Sequence, residues 1–114
     1  MKTSVPLYQA KAELFRTLGH PARIRVLELL QAGPLPVRDL LADLQIESSS
    51  LSQQLGVLRR SGLVTSSRDG STVTYALSTP DVAALLHAGR RILASMWEDT
   101  GGLLAELRSN LDDE

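Results

Sequence analysis

The stretch Ser48-Ser49-Ser50-Leu51-Ser52-Gln53-Gln54-Leu55-Gly56-Val57-Leu58-Arg59-Arg60-Ser61-Gly62-Leu63-Val64 decides the fold. At about 100° per residue, Leu51, Leu55 and Leu58 fall within a narrow arc. Ser49, Gln53, Gly56 and Arg60 fall opposite, flanked by Ser50 and Val57. One side of this helix is built to pack and the other is left free. Ser50 and Gln53 have the spacing of a capping box, with Ser48 or Ser49 as the alternative N-cap. Gly62, just past Ser61, supplies the left-handed residue that ends a helix.

Upstream, Leu7, Ala10, Leu14 and Leu18, with Phe15 alongside, predict a first helix ending at Gly19. His20-Pro21 opens a second, whose stripe of Ile24, Val26, Leu27 and Leu30 runs to Gly33-Pro34. After the turn Gly33-Pro34-Leu35-Pro36, the residues Val37, Leu40, Leu41 and Leu44 predict a short third helix. The turn Gln45-Ile46-Glu47 leads into the fourth. Downstream, Val64 to Arg68 and Thr72 to Leu77 are β-branched runs around Asp69-Gly70-Ser71, a hairpin signal. Thr79-Pro80-Asp81 starts a last helix with a capping hydroxyl, Pro at the first position and a carboxylate at the positive end of the dipole. Its stripe of Val82, Leu85, Leu86, Gly89, Leu93, Met96 and Trp97 is expected to kink at Gly101-Gly102 and resume at Leu103, Leu104 and Leu107.

These elements predict a mostly α fold with a small β-hairpin, in the order α-α-α-α-β-β-α, as one domain over residues 1–114. The apolar fraction of 43% and charged fraction of 22% are those of a soluble globular protein. No apolar run approaches the ~18 residues of a membrane span, and the first residues lack a secretory leader pattern. A cytoplasmic protein without a membrane partner is expected. The absence of cysteine removes disulfides, thiolate metal sites and cysteine nucleophiles. With no glycine-rich phosphate loop, no evident carboxylate pair and only His20 and His87, distant from each other, the chain is not expected to be an enzyme or to carry a cofactor.

A net charge of −1 argues mildly against a nucleic-acid partner, but distribution matters more than the sum. Between Arg16 and Thr72 stand seven arginines, against Glu28, Asp39, Asp43, Glu47 and Asp69. From Glu98 onward, Glu98, Asp99, Glu106, Asp112, Asp113 and Glu114 face Arg108 alone. The middle of the chain is therefore locally basic. Gln can bond adenine N6 and N7 together, Ser can reach a base edge or a phosphate, and a helix N-terminus favours phosphate. A solvated helix face has similar polarity. The setting distinguishes them: helix, turn, helix, then a hairpin whose Arg68 can reach a flanking phosphate or the minor groove.

The sequence resembles the ArsR family of winged helix-turn-helix transcriptional repressors. The resemblance runs through Phe15-Arg16-Thr17-Leu18-Gly19-His20-Pro21-Ala22-Arg23, Leu51-Ser52-Gln53-Gln54-Leu55, Leu58-Arg59, Gly62-Leu63-Val64, and Arg68-Asp69-Gly70 with Tyr75, covering about residues 8–98. It implies a homodimer built from the first and last helices, residues 7–18 and 80–109, that binds an inverted-repeat DNA operator and represses by occluding the promoter. On this reading Ser48, Ser49, Ser50, Ser52, Gln53, Gln54 and Arg60 face DNA, with Arg68, Gly70 and Ser71 on the wing. Leu7, Leu14, Leu85, Leu86, Leu93, Met96 and Trp97 are the expected dimer contacts. Gly56 departs from the basic residue or alanine that many relatives carry there, which removes a phosphate contact and weakens the helix slightly.

Relatives often sense metals through Leu-Cys-Val-Cys-Asp; the matching stretch here is Leu35-Pro36-Val37-Arg38-Asp39, without either thiolate. A second family site, across the last helices, maps onto Thr79, Asp81, Ile92 and Ser95, of which only Asp81 is a ligand type. No metal is expected, His20 reads as structural and His87 as a surface or interface residue, and the effector stays unidentified. The competing reading is a winged helix that serves as a protein-interaction module without specific DNA binding, which the near-neutral charge and acidic C-terminal end favour.

Overall fold

The computed structural model describes residues 5–98 together with 106, 108 and 109. Its elements are α1 (Leu7–Leu18), α2 (Pro21–Leu29), β1 (Leu35–Pro36), α3 (Val37–Leu44), α4 (Ser48–Arg60), β2 (Val64–Asp69), β3 (Thr72–Leu77) and α5 (Pro80–Met96). This is the expected mostly helical fold with a β-hairpin. Residues 1–83 form one unit and residues 84–114 another.

Within the first unit, His20 caps α2: its Nδ1 accepts from the Ala22 N–H at 3.1 Å, with Pro21 at the first helical position. The structural reading of His20 thus has a concrete basis, since the ring satisfies an otherwise orphan donor. Beyond Leu29 the helix tightens into a 3₁₀ turn over Leu30–Ala32. The stripes of α2, α3 and α4 meet in a core where Val26, Leu27, Leu40, Leu51 and Leu58 are wholly buried and Leu18, Leu30, Leu55, Leu63, Val64 and Val82 nearly so. Burying each such side chain contributes roughly 1.5–3 kcal/mol, which holds the short α3 and the start of α4 at a fixed angle. Arg25 Nε, 3.2 Å from Asp43 Oδ1, links α2 to α3 across the surface.

The sheet differs from the expectation of a lone hairpin. Leu35-Pro36, expected as part of a turn, is instead a two-residue edge strand, pairing Leu35 with Tyr75 and Pro36 with Thr74, so the sheet order is β1-β3-β2. An edge position tolerates proline because its missing N–H can face outward. β2 and β3 pair from Val64↔Leu77 to Asp69↔Thr72, closed by Gly70-Ser71. Gly70 has φ +65°, suiting the first position of a tight hairpin turn. At the base of the hairpin Ser78 Oγ donates to the Gly62 carbonyl at 2.7 Å, fixing the strands to the end of α4.

One helix end also differs in detail. The three serines do not cap α4 from outside; Glu47 is the N-cap, without a side-chain hydrogen bond, and Ser48, Ser49 and Ser50 form the first turn. Thr79, by contrast, caps α5 as expected, its Oγ1 accepting from the Asp81 N–H at 3.2 Å. α5 ends at Met96. The expected kink at Gly101-Gly102 and the resumed stripe of Leu103, Leu104 and Leu107 lie outside the described residues. Among the described residues no helix is long and apolar enough to cross a membrane.

Candidate nucleic-acid interface

The leucine arc of α4 does what its spacing predicts: Leu51, Leu55 and Leu58 point into the core. That placement turns Ser48, Ser49, Ser52, Gln53 and Arg60 outward, all exposed, with Ser50 half-buried. With no side chain capping α4, its first-turn N–H groups have no side-chain acceptor. Outward hydroxyls, free amide donors and the positive end of the dipole thus occur together at one end of the helix.

Gln54 departs from the expected set. It is buried, 8% exposed, and its Oε1 accepts from Arg23 Nε at 2.7 Å. Arg23 Nη1 in turn donates to the Thr17 carbonyl at 3.0 Å. Gln54 is therefore a structural residue that holds α4 to α2, not an outward-facing one. The helical wheel carried the signal, since position 54 lies about 40° from Leu58, on the packed side. Arg23, outside the set of candidate residues, is the partner that makes a buried glutamine tolerable.

Gly56 sits on the outward face beside Arg60. An added Cβ there would stand 3.1 Å from Arg60 Nη1, so the missing side chain is the space over which that guanidinium folds. Arg68, Gly70 and Ser71 are exposed on the hairpin, Arg68 opposite Val73 in register. The outward face of α4 and the hairpin thus both carry unsatisfied donors, the chemistry that phosphate and base edges accept.

Of the expected dimer residues, Leu7, Leu93 and Met96 are exposed while Leu14, Leu85, Leu86 and Trp97 are half-buried. Tyr8, Phe15 and Ile92 are large apolar side chains equally exposed and absent from the expected set. Pro36 lies in β1 and Arg38 is exposed in α3. Among the described residues no group of three or more His, Cys, Asp or Glu could hold a metal ion.

Comparison with known proteins yields a match of residues 20–66 to the family model described as bacterial regulatory protein, arsR family. The HTH-type transcriptional regulator Rv0081 of Mycobacterium tuberculosis is 51% identical over 107 residues, 93% of this chain and 94% of that protein. Its crystal structure matches with a TM-score of 0.78 at 53% identity, covering 85% of this chain and 98% of that one. The biofilm growth-associated repressor of Agrobacterium fabrum is 42% identical over 68% of this chain and 66% of that protein. The transcriptional activator HlyU of Vibrio cholerae is 34% identical over 69% of this chain and 73% of its own length.

Proposed function

The chain belongs to the arsR family of bacterial regulatory proteins, and from that premise we propose that this DNA-binding transcriptional regulator acts as a homodimeric repressor on an inverted-repeat operator. The observation that carries the reading is the division of α4 into a buried leucine face and an exposed Ser-Gln-Arg face beside an exposed hairpin arginine. Ser48, Ser49, Ser50 and Ser52 meet the backbone and base edges, Gln53 reads a base, and Arg60, Arg68, Gly70 and Ser71 flank it. The exposed Leu7 of α1 and the exposed Leu93 and Met96 of α5 join two copies, with Leu14, Leu85, Leu86 and Trp97 at the margins of those surfaces. Two linked recognition helices then reach half-sites about one DNA turn apart.

The whole chain, residues 1–114, acts as one DNA-binding domain with its dimerisation helices. Its place of action is the cytoplasm, where the chromosome is reached, and the reading assigns it no enzymatic step.

Footprinting on the DNA upstream of its own coding sequence tests the proposal, paired with a reporter driven by that DNA. Protection of a two-fold symmetric site and reporter activity that rises when the chain is deleted support it. Reporter activity that falls on deletion makes the chain an activator, like its relative HlyU, and overturns the repressor reading.

A further inference from the structure

Between the last turn of α4 and the hairpin lies a groove of about 410 Å³, lined by Arg59, Ser66, Ser67, Arg68, Val73 and Tyr75. The register explains its composition. Ser66 pairs with Tyr75 and Arg68 with Val73, and directly paired residues share a sheet face, so these four side chains stand together. Arg59, on the last turn of α4, closes the other side.

Two features give this groove the chemistry that phosphate accepts. Among the described residues neither Arg59 nor Arg68 has an ion-pair or side-chain hydrogen-bond partner, so two guanidinium groups share one groove without a counter-charge. Asp69, next to Arg68, alternates to the opposite sheet face and does not neutralise it. The remaining polar side chains on that sheet face are hydroxyls, from Ser66 and Tyr75, both groups that donate to phosphate oxygens. Small-molecule pockets of this size are mostly apolar and enclosing. Here Val73 is the one aliphatic side chain in the lining, and Arg59, Ser67 and Arg68 are exposed. That suits a polyanion passing through better than a small molecule held inside.

We propose that this groove holds a phosphodiester of the DNA backbone, clamped between Arg59 and Arg68 with the Tyr75 hydroxyl as a third donor. The inference rests on the DNA-binding reading above and adds Arg59, Ser66 and Tyr75 to the contact surface. The phosphate sits beside the C-terminal end of α4, while the first turn of α4 reaches into the groove of the duplex. The clamp sets how far the helix can rotate about its axis, and carries no sequence information itself.

The test measures affinity against salt for the upstream duplex and for a duplex of permuted sequence. Wild-type chain that binds neither duplex overturns the DNA-binding reading itself, and the clamp with it. If the wild type binds, Arg59→Ala/Arg68→Ala lowers the slope of log K on log salt by about 0.9, the value for one phosphate, on both duplexes alike, and Arg59→Ala lowers it by less because Arg68 still faces that phosphate. Arg59→Lys retains the slope. The double variant Arg59→Ala/Arg68→Ala loses less than the sum of the singles, because both arginines hold one phosphate. An unchanged slope in the double variant, or strictly additive losses, overturns the clamp while leaving DNA binding intact. A final arm separates polymer from free anion. The Arg59 and Arg68 side-chain N–H resonances shift with duplex but not with inorganic phosphate at equal ionic strength; saturation by inorganic phosphate alone assigns the groove to a small anion and overturns the proposal.

Discussion

Arg23 donates from Nε to Gln54 Oε1 at 2.7 Å, across 31 residues of sequence, while its Nη1 donates to the Thr17 carbonyl at 3.0 Å. One guanidinium therefore ties the end of α1, the start of α2 and the packed side of α4. Gln53 and Gln54, adjacent and chemically identical, consequently have opposite tasks: the first is exposed, the second buried.

Gln54→Leu removes the acceptor and leaves Nε of the half-buried Arg23 without its partner, while Nη1 keeps the Thr17 carbonyl. Hydrogen bonds to charged groups contribute roughly 1.5–3 kcal/mol, so unfolding in urea should show a loss of that order. Gln53→Ala, on the exposed face, should stay within about 0.5 kcal/mol of wild type. Equal losses from the two substitutions would count against the division of labour.

Gly56→Ala should stabilise α4 by up to about 1 kcal/mol, the difference in helix propensity. The new Cβ stands 3.1 Å from Arg60 Nη1, and that flexible head must move aside. A thermal melt should therefore shift upward while affinity for the upstream duplex falls. A variant that melts higher and binds as tightly as wild type shows that the Arg60 placement is irrelevant to DNA.

Much of this was legible in the sequence, and the reasons differ from element to element. The α4 leucines and the Thr79-Pro80 helix start are local signals, three or four residues in reach, and they hold in the structure. The resemblance puts Gln54 on the DNA face, and the partner that buries it, Arg23, is far away in the chain, although the helical wheel sets position 54 near Leu58. The strand Leu35-Pro36 was invisible because two residues cannot show alternation and proline argues against a strand. Three consecutive serines offered several equivalent caps, and the chain used none of them as the N-cap, which falls on Glu47.

Gln45, between α3 and α4, holds φ +55°, the sole non-glycine residue with positive φ among those described. Left-handed backbone costs an L-residue roughly 1–2 kcal/mol, and glycine avoids it at the expense of about 0.5–1 kcal/mol of chain entropy. Gln45→Gly should thus be neutral to stabilising by about 1 kcal/mol. A clear destabilisation in urea would mean that the Gln45 side chain supports the turn.

Leu93 and Met96 are exposed on α5, Met96 with 67% of its surface accessible. Charges do not survive in an apolar interface without a partner, so Leu93→Glu with Met96→Glu should convert dimers to monomers in size-exclusion chromatography with light scattering. Operator affinity should fall with dimerisation, because each half-site then binds alone. A monomeric double variant that keeps wild-type affinity contradicts the dimer account.

The central claim is that the outward face of α4 reads sequence. Its most direct measurement is the ratio of affinities for the protected upstream site and a permuted duplex, at one salt concentration, in wild type and Gln53→Ala. A bidentate glutamine-to-adenine contact carries about 1–3 kcal/mol of discrimination, so the ratio should fall by roughly fivefold to 150-fold. An unchanged ratio, with both affinities lowered equally or not at all, contradicts base readout by this helix.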